Sequence, residues 1–387
     1  MRKTQYLFFL VAMAFSCQSP KQQTEQSANT AEVTKTNPKH HVVYFEEGRF
    51  GGWPANNGIW SWDNEILVGF ARGYHKEHGP TMHNIDREKP EESLFARSLD
   101  GGETWSIEDP SADGILVARG SSLHGTEPQY PNRKEPVELT TPINFMHPDF
   151  AITFRFLNFN SGPSVFYHSY DRGHTWQGPF KLEVSGMSNI IARTNYIVLD
   201  KNTCMAFLSL PKENNQEGRP ICAITKNGGI DWELLGKIGP EPQGFGIMPS
   251  AVQLSDKDYL VTVRRREGTH RWIDGYISHD SGKNWTLTDP PVRDLGEGNP
   301  PSLIKLRDGR LCLTYGVRAE PYSICAKTSD DNGMTWSEQI VLRNDGGGRD
   351  IGYVRSLQRP DGKVVTSYYF QDKLKSERFI AATIWQP

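Results

Sequence analysis

The sequence predicts an all-β chain folded as a six-bladed β-propeller, and three observations carry the prediction. An eight-residue box of pattern S-x-D-x-G-x-T-W occurs five times. A strand-length apolar segment precedes each box, and a sixth follows the last one. Gly and Pro number 36 and 25 in 387 residues, with 11% aromatic residues, a turn-rich β composition with mass enough for a large core.

The boxes are Ser98–Trp105, Ser169–Trp176, a degraded copy at Thr225–Trp232, Ser278–Trp285 and Ser329–Trp336. Their starts are 71, 56, 53 and 51 residues apart, and a period near fifty is that of a blade repeat. Within a box, Asp folds its carboxylate back onto backbone N–H groups. Gly takes a positive φ, and Trp buries its ring under the turn. The apolar segments are Glu65–Ala71, Ala151–Phe156, Cys204–Leu210, Tyr259–Val263, Leu311–Val317 and Val364–Tyr369. Each is read as the second strand of a four-stranded meander. Six such strands against five boxes give six blades, the last without a box. His41–Phe45 is the natural donor of the strand that completes the last sheet and closes the ring.

Residues 1–17 read as a signal peptide. Arg2 and Lys3 precede an apolar run from Tyr6 to Phe15, too short to span a membrane. Cys17 follows Ala14-Phe15-Ser16 and resembles a lipoprotein lipidation site, against the simpler reading of a cleaved signal with an incidental Cys. The polar tether that follows, residues 18–40, favours lipidation and reads as a disordered linker. The chain is then exported, to the periplasm or the outer-membrane or cell surface, and meets the membrane only through its lipid anchor. Residues 41–387 form the propeller. A net charge of −3 argues against a nucleic-acid partner. Cys204 with Cys222, and Cys312 with Cys325, each lie across one hairpin, as disulfides or as buried free thiols. No metal-ligand spacing is present, and neither metal nor cofactor is expected. A monomer is expected.

Two long insertions depart from the repeat. Residues 73–92 hold His75, His78, His83 and Asp86. Residues 121–149 hold His124, Glu127, Tyr130, Arg133 and His147. Long loops on a rigid scaffold are where function concentrates.

The five boxes on six blades resemble the sialidase (neuraminidase) superfamily of BNR or Asp-box repeat proteins, in a divergent bacterial branch, over roughly Val42 to Pro387. The last blade, Asp350-Ile351-Gly352-Tyr353-Val354-Arg355-Ser356, matches best. The resemblance implies that Tyr353 is the catalytic tyrosine. Pro249-Ser250-Ala251-Val252-Gln253-Leu254 and the strand ending at Val263-Arg264 match the fourth blade. Arg264 and Arg318 are then two of the arginines that grip a sugar carboxylate. The family's first-blade arginine falls on Gly52, so Arg49 or Arg72 would replace it. Its acidic holder falls on Tyr369, and the glutamate that activates the tyrosine falls near Met248 and Pro249.

The chemistry narrows the candidates. A sialic acid carries a carboxylate on its anomeric carbon, where a carboxylate nucleophile is repelled and a tyrosine is not. Guanidinium groups clamp such a carboxylate in bidentate fashion. Arg72, Arg155 and Arg318 end second strands on three blades. Alternation sends Arg264 and Arg266 to one face and Arg265 to the other. Arg72, Arg155, Arg264 and Arg318 are therefore the candidate substrate-binding residues. Tyr353, Asp86 and Asp350 are the candidate catalytic ones. Asp86 is the proposed general acid, with the histidines of the same loop as rivals; Asp350, Glu241 or Glu320 is the base for Tyr353. Against this, Tyr353 reads equally as a packed aromatic, Asp86 as a solvated loop residue and the arginine run as surface. Three functions follow: an exo-α-sialidase-type glycoside hydrolase acting on an acidic sugar; a uronate lyase or rhamnosidase on the same scaffold; and a non-catalytic glycan-binding lipoprotein.

Overall fold

The six apolar segments become six strands: Glu65–Tyr74, Ala151–Phe156, Cys204–Pro211, Tyr259–Glu267, Leu311–Val317 and Val364–Phe370. The computed structural model describes residues 37–79, 82–119 and 126–387, and in it each of these strands belongs to a separate antiparallel sheet. The signal segment, Cys17, His124 and the linker up to residue 36 lie outside the described residues. The first described strand opens at Lys39, two residues inside the stretch read as linker.

The sheets pack as blades around a ring, and the hydrophobic cores show how the ring closes. One cluster lies between each neighbouring pair. Ile66 and Val68 of blade 1 pack with Val365 and Tyr369 of blade 6, while Leu67 packs with Val165 and Trp176 of blade 2. Blades 2 and 3 share Phe154 and Leu208. Blades 3 and 4 share Phe207 and Val261. Blades 4 and 5 share Leu260 and Leu313, and blades 5 and 6 share Ile324 and Tyr368. Because successive side chains of a strand face opposite sides, a blade buried on both faces needs an unbroken apolar run. That is what the second strands supply.

Closure is also made by hydrogen bonds. Lys39–Tyr44 pairs antiparallel with Phe379–Trp385, with Val42 opposite Ala381. The first strand of the chain thus completes the last sheet, as expected from His41–Phe45, and removes an exposed edge.

The boxes fold as their residues dictate. In the first, Thr104 N and Oγ1 donate to the two carboxylate oxygens of Asp100 at 2.9 and 2.6 Å, and Trp105 Nε1 donates to Gly102 O at 3.0 Å. Asn227 takes the aspartate's place in the third box and accepts from Asp231 N at 3.1 Å. The box glycines press on the neighbouring blade. A Cβ on Gly173 (φ +81°) would stand 2.5 Å from Leu67, and one on Gly333 (φ +86°) 2.5 Å from Leu260. The boxes are therefore clasps between blades as well as turns.

The four cysteines are free and buried. Cys204 faces Thr225 and Cys222 faces Phe207, while Cys312 faces Thr328 and Cys325 faces Tyr315. Both pairs sit three positions out of register, which rules out a bridge across either hairpin. Burial raises the Cys312 and Cys325 thiols to about 12.

Two blades depart from the four-strand plan. In blade 1, Arg49–Gly52 and Ile59–Trp62 both pair with Glu65–Tyr74, and a helical turn at Pro54–Asn57 separates them. Blade 2 has three strands among the described residues. The inner edge of Ala151–Phe156 is covered by its neighbours: Thr153 Oγ1 donates to Asn57 O at 3.0 Å, and Phe154 N donates to Thr194 Oγ1 at 3.1 Å. Ala55 from this turn meets Ile247, Met248 and Tyr353, a cluster drawn from blades 1, 4 and 6 that can form only at the hub.

Candidate functional site

The site begins with a distortion in the inner strand of blade 6, Gly352–Gln358. Gly352 has φ +104° and Tyr353 φ +49°, and the pairing register slips between Gly352 and Arg355. A tyrosine in the left-handed region is strained and persists only where its surroundings fix it. Asn299 does so. Its Nδ2 donates to Ile351 O at 3.1 Å and its Oδ1 accepts from Tyr353 N at 2.8 Å, one bond on each side of Gly352. A Cβ on Gly352 would lie 2.4 Å from Asn299 Oδ1, so only glycine fits.

Half-buried Tyr353 meets two guanidinium groups. Arg264, near the end of its blade 4 strand, donates from Nη1 to the phenol oxygen at 3.2 Å. The guanidinium carbons of Arg264 and Arg318 lie 5.7 and 5.5 Å from the ring centroid. Burial raises the phenol's pKa, but Arg264, Arg318 and Arg193 outweigh it, and the net value falls below the ordinary 10.0. The alternation of the arginine run holds. Arg264 faces the hub, while Arg265 turns to Asp274 at 2.6 Å and stacks on Trp272. Met248, where the resemblance expects a carboxylate, places its sulfur 3.9 Å from Arg264 Nη1. It too has a positive φ, +54°, at a register slip in its strand.

Beside the phenol lies a buried ionic cluster around Asp350. His83 Nδ1 stands 2.6 Å from Asp350 Oδ1, and the Tyr369 hydroxyl donates to the same oxygen at 2.5 Å. Arg378 Nε is 3.3 Å from Oδ2, and Arg318 Nη2 is 3.7 Å from Oδ1. Burial alone would raise this carboxyl, but His83, Arg318 and Arg378 hold it far below the carboxylate range. Tyr369 is pushed well above its ordinary value, first by burial, and stays a neutral donor. The rings of Tyr353 and Tyr369 meet edge to face at 5.8 Å, which ties the phenol to the cluster. Trp53 packs edge-on against His83 at 5.3 Å.

Tyr353, Arg264, Arg318 and Asp350 thus come together, and the other expected residues do not join them. Arg72 is held in blade 1, where its Nε donates to Glu92 at 2.7 Å; Arg49 donates to the same carboxylate at 2.6 Å. Glu46 lies 3.8 Å from Arg49 and 3.6 Å from Arg72, so the two guanidinium groups are balanced by two carboxylates within blade 1. Asp86 lies 3.4 Å from Lys76 and accepts from Glu88 N. That backbone bond first, and Lys76 after it, lower its pKa, the opposite of what a general acid needs. The contacts of Asp350 run to His83 and Tyr369 at Oδ1 and to Arg378 at Oδ2, while the Tyr353 hydroxyl meets Arg264. Glu241 pairs with Arg219 and Glu320 is exposed. Arg155 lines a separate cavity between blades 1 and 2. Of the histidines in the first loop, His78 binds Ile85 O and His75 lies beside Ser376 and Glu77. His83 alone of these three reaches Asp350.

Asn299, Arg378 and Trp53 were missed by the sequence reading. The one signal for Asn299 was its place just before Pro300-Pro301-Ser302, at the mouth of an inner strand. Arg378 and Trp53 carry none. Among the described residues, no group of three or more His, Cys, Asp and Glu side chains is arranged to hold a metal ion.

Comparison with known proteins agrees with this architecture. Residues 152–366, more than half of the chain, match the model of the BNR repeat-like domain. No curated protein sequence matches the chain. A Dyadobacter fermentans protein of unknown function superposes with a TM-score of 0.67 at 20% identity, covering 91% of this chain and 98% of that one. The NanB sialidase of Streptococcus pneumoniae gives 0.58 at 11% identity, over 89% of this chain and 70% of that one. An α-L-arabinanase of Penicillium chrysogenum, complexed with arabinobiose, gives 0.55 at 13%, over 91% and 98%. At these identities the likeness is one of fold, and the neighbours include propeller glycoside hydrolases. The repeat match, the five box turns and the closed ring of six blades together make the chain a member of the BNR repeat-like domain family, on a propeller of the sialidase type.

Proposed function

We propose that the chain is an exo-acting glycoside hydrolase of the sialidase type that releases a terminal acidic sugar. The observation that supports it is the Tyr353 phenol oxygen accepting a hydrogen bond from Arg264 at 3.2 Å beside the His83–Asp350 pair. In this reading the arginines, rather than a glutamate, activate the nucleophile. With its proton lost to solvent, the phenolate attacks the anomeric carbon while Arg264 screens its charge from the sugar carboxylate. His83 donates the proton that the leaving oxygen takes. Water then attacks the tyrosyl-bound sugar and gives its proton to His83, and the Tyr353 phenolate departs. Asp350 orients the imidazole through its 2.6 Å contact with Nδ1. The acid thus comes from the first-blade loop, as expected, but from His83 in place of Asp86. The test is release of fluorophore from a fluorogenic sialoside and from fluorogenic uronides. Release abolished in Tyr353→Phe supports the reading; no release by the wild-type protein, or equal release by the variant, sinks it.

A uronate lyase is the second reading. It is favoured by one observation: among the described residues the Tyr353 hydroxyl meets a guanidinium, that of Arg264 at 3.2 Å. A lyase needs such a cation on the uronate carboxyl group and a phenol or imidazole for the C5 proton. Ultraviolet absorbance of an unsaturated product separates elimination from hydrolysis. Export and lipid anchoring at Cys17 belong to the same proposal. They are tested by metabolic labelling with a radioactive fatty acid, which Cys17→Ala must abolish.

A further inference from the structure

Between blades 1 and 2 lies a cavity of about 70 Å³, lined among others by Arg155, Arg119, Asn56, Trp53, Tyr167 and Glu91. Arg155 Nε and Nη2 are closed off from solvent without a hydrogen-bond partner. Arg119 donates to Glu135 at 3.0 Å. A buried guanidinium without a counter-ion is among the costliest groups a fold can carry. Burial brings the Arg155 pKa down to about 10, and the one opposing influence is the Tyr167 phenol, not Glu91. A water's share of liquid volume is about 30 Å³, so the cavity has room for roughly two waters or one small oxyanion.

The cavity adjoins the Tyr353 site through shared groups. Trp53 lines it and also packs on His83. Asn56 lines it and accepts from Arg193 Nε at 3.1 Å, and Arg193 is one of the cations that lower the Tyr353 pKa. Arg193 in turn bridges by its backbone to Arg155.

We infer that this cavity is a second oxyanion subsite, in which Arg155 receives the carboxylate or sulfate of the sugar next to the one held at Tyr353. That the anion belongs to the same glycan rests on the glycosidase reading; that the cavity binds a sugar oxyanion does not. The substrate class narrows accordingly, to glycans bearing acidic groups on two successive sugars.

The experiment titrates the full chain with glucuronate, with N-acetylglucosamine 6-sulfate, and with glucose and N-acetylglucosamine as neutral controls. Calorimetry reads affinity and thermal unfolding reads stabilisation, since a ligand that binds only the folded state raises Tm. Saturable binding of one or both acidic sugars is expected, without binding of the neutral ones. The acid that binds identifies the source of the anion. Arg155→Gln is expected to weaken binding at least about tenfold, with Arg155→Lys between, because lysine keeps the charge and loses the fork. In Arg264→Gln, which weakens any binding of the acid at the Tyr353 site, the part of the binding that Arg155→Gln removes is expected to remain. Equal binding of acidic and neutral sugars, or full binding by a folded Arg155→Gln, overturns the subsite. Should Arg155→Gln fail to fold, the wild-type Tm decides, and no rise with either acidic sugar overturns it. Acidic-sugar binding without release from any glycoside would overturn the hydrolase and leave the subsite standing.

Discussion

Gly352 is the residue on which the placement of Tyr353 turns. It carries no side chain because Asn299 occupies that space, and Asn299 occupies it because it bonds to both neighbouring peptide units. Gly352→Ala is expected to rotate the phenol away from Arg264 and lower turnover about a hundredfold, through strain at φ +104° as well as the clash. Steady-state kinetics alongside a melt checks this, and unchanged kinetics would contradict the assignment. A second expectation concerns charge. Arg264 lowers the Tyr353 pKa, so Arg264→Gln must raise it. The activity limb that rises as the phenol deprotonates then moves to higher pH, and the ultraviolet titration of the phenolate moves with it. A limb that stays in place would show that another group titrates. The sequence marked Tyr353, Arg264, Arg318 and Asp350, and the fold brings all four together. Arg318 donates from Nε to Ile351 O and stands over Tyr353, and Asp350 serves His83.

At the scale of the element, the box turn explains why the repeat is so visible. Its aspartate satisfies backbone donors, its glycine takes a conformation other residues avoid, and its tryptophan caps the turn; each constraint is local, so each leaves a letter in the sequence. Gly173 adds a demand that is not local, since its missing Cβ makes room for Leu67 of the next blade. Gly173→Ala is expected to cost about 1–3 kcal/mol, more than a turn glycine facing solvent such as Gly309, around which nothing lies within 4 Å. Urea unfolding of both variants checks the difference, and equal losses would refute the clasp. The interrupted inner strand of blade 1 shows the converse. The turn at Pro54–Asn57 was invisible as an element because its partners, blades 4 and 6, are distant in the chain.

For the whole molecule, stability against acid follows from the boxes. Hydrogen bonds from Thr104 and Ser98 outweigh burial and hold Asp100 at about 2, and those of Asn284 do the same for Asp280. Asp171 and Asp331 are shifted the same way. A carboxyl whose folded pKa lies below its unfolded 3.8 stabilises the fold above that value and loses this as pH falls through the folded one. Tm is therefore expected to begin falling below about pH 5 and to lose the boxes' contribution by about pH 2. Replacing Asp100 and Asp280 by Asn should flatten that fall. A scan of Tm against pH checks it, and an unchanged slope in the double variant would remove the boxes as its cause.

The chain's own letters determined the number of blades, the second strand of each, the turns that clasp them and the strand that shuts the ring. The blade count, the second strands and the box turns rest on patterns within some fifty residues or on apolar runs of strand length. The closing strand, with Val42 opposite Ala381, was legible because the last sheet otherwise lacks a strand. Only the tertiary structure decided which acid meets which base. Glu92 neutralises Arg72, Lys76 claims Asp86, and His83 crosses from blade 1 to Asp350, 267 positions along the chain. Charge pairing at a hub depends on distances between separate sheets, and a sequence records residue types without recording those distances.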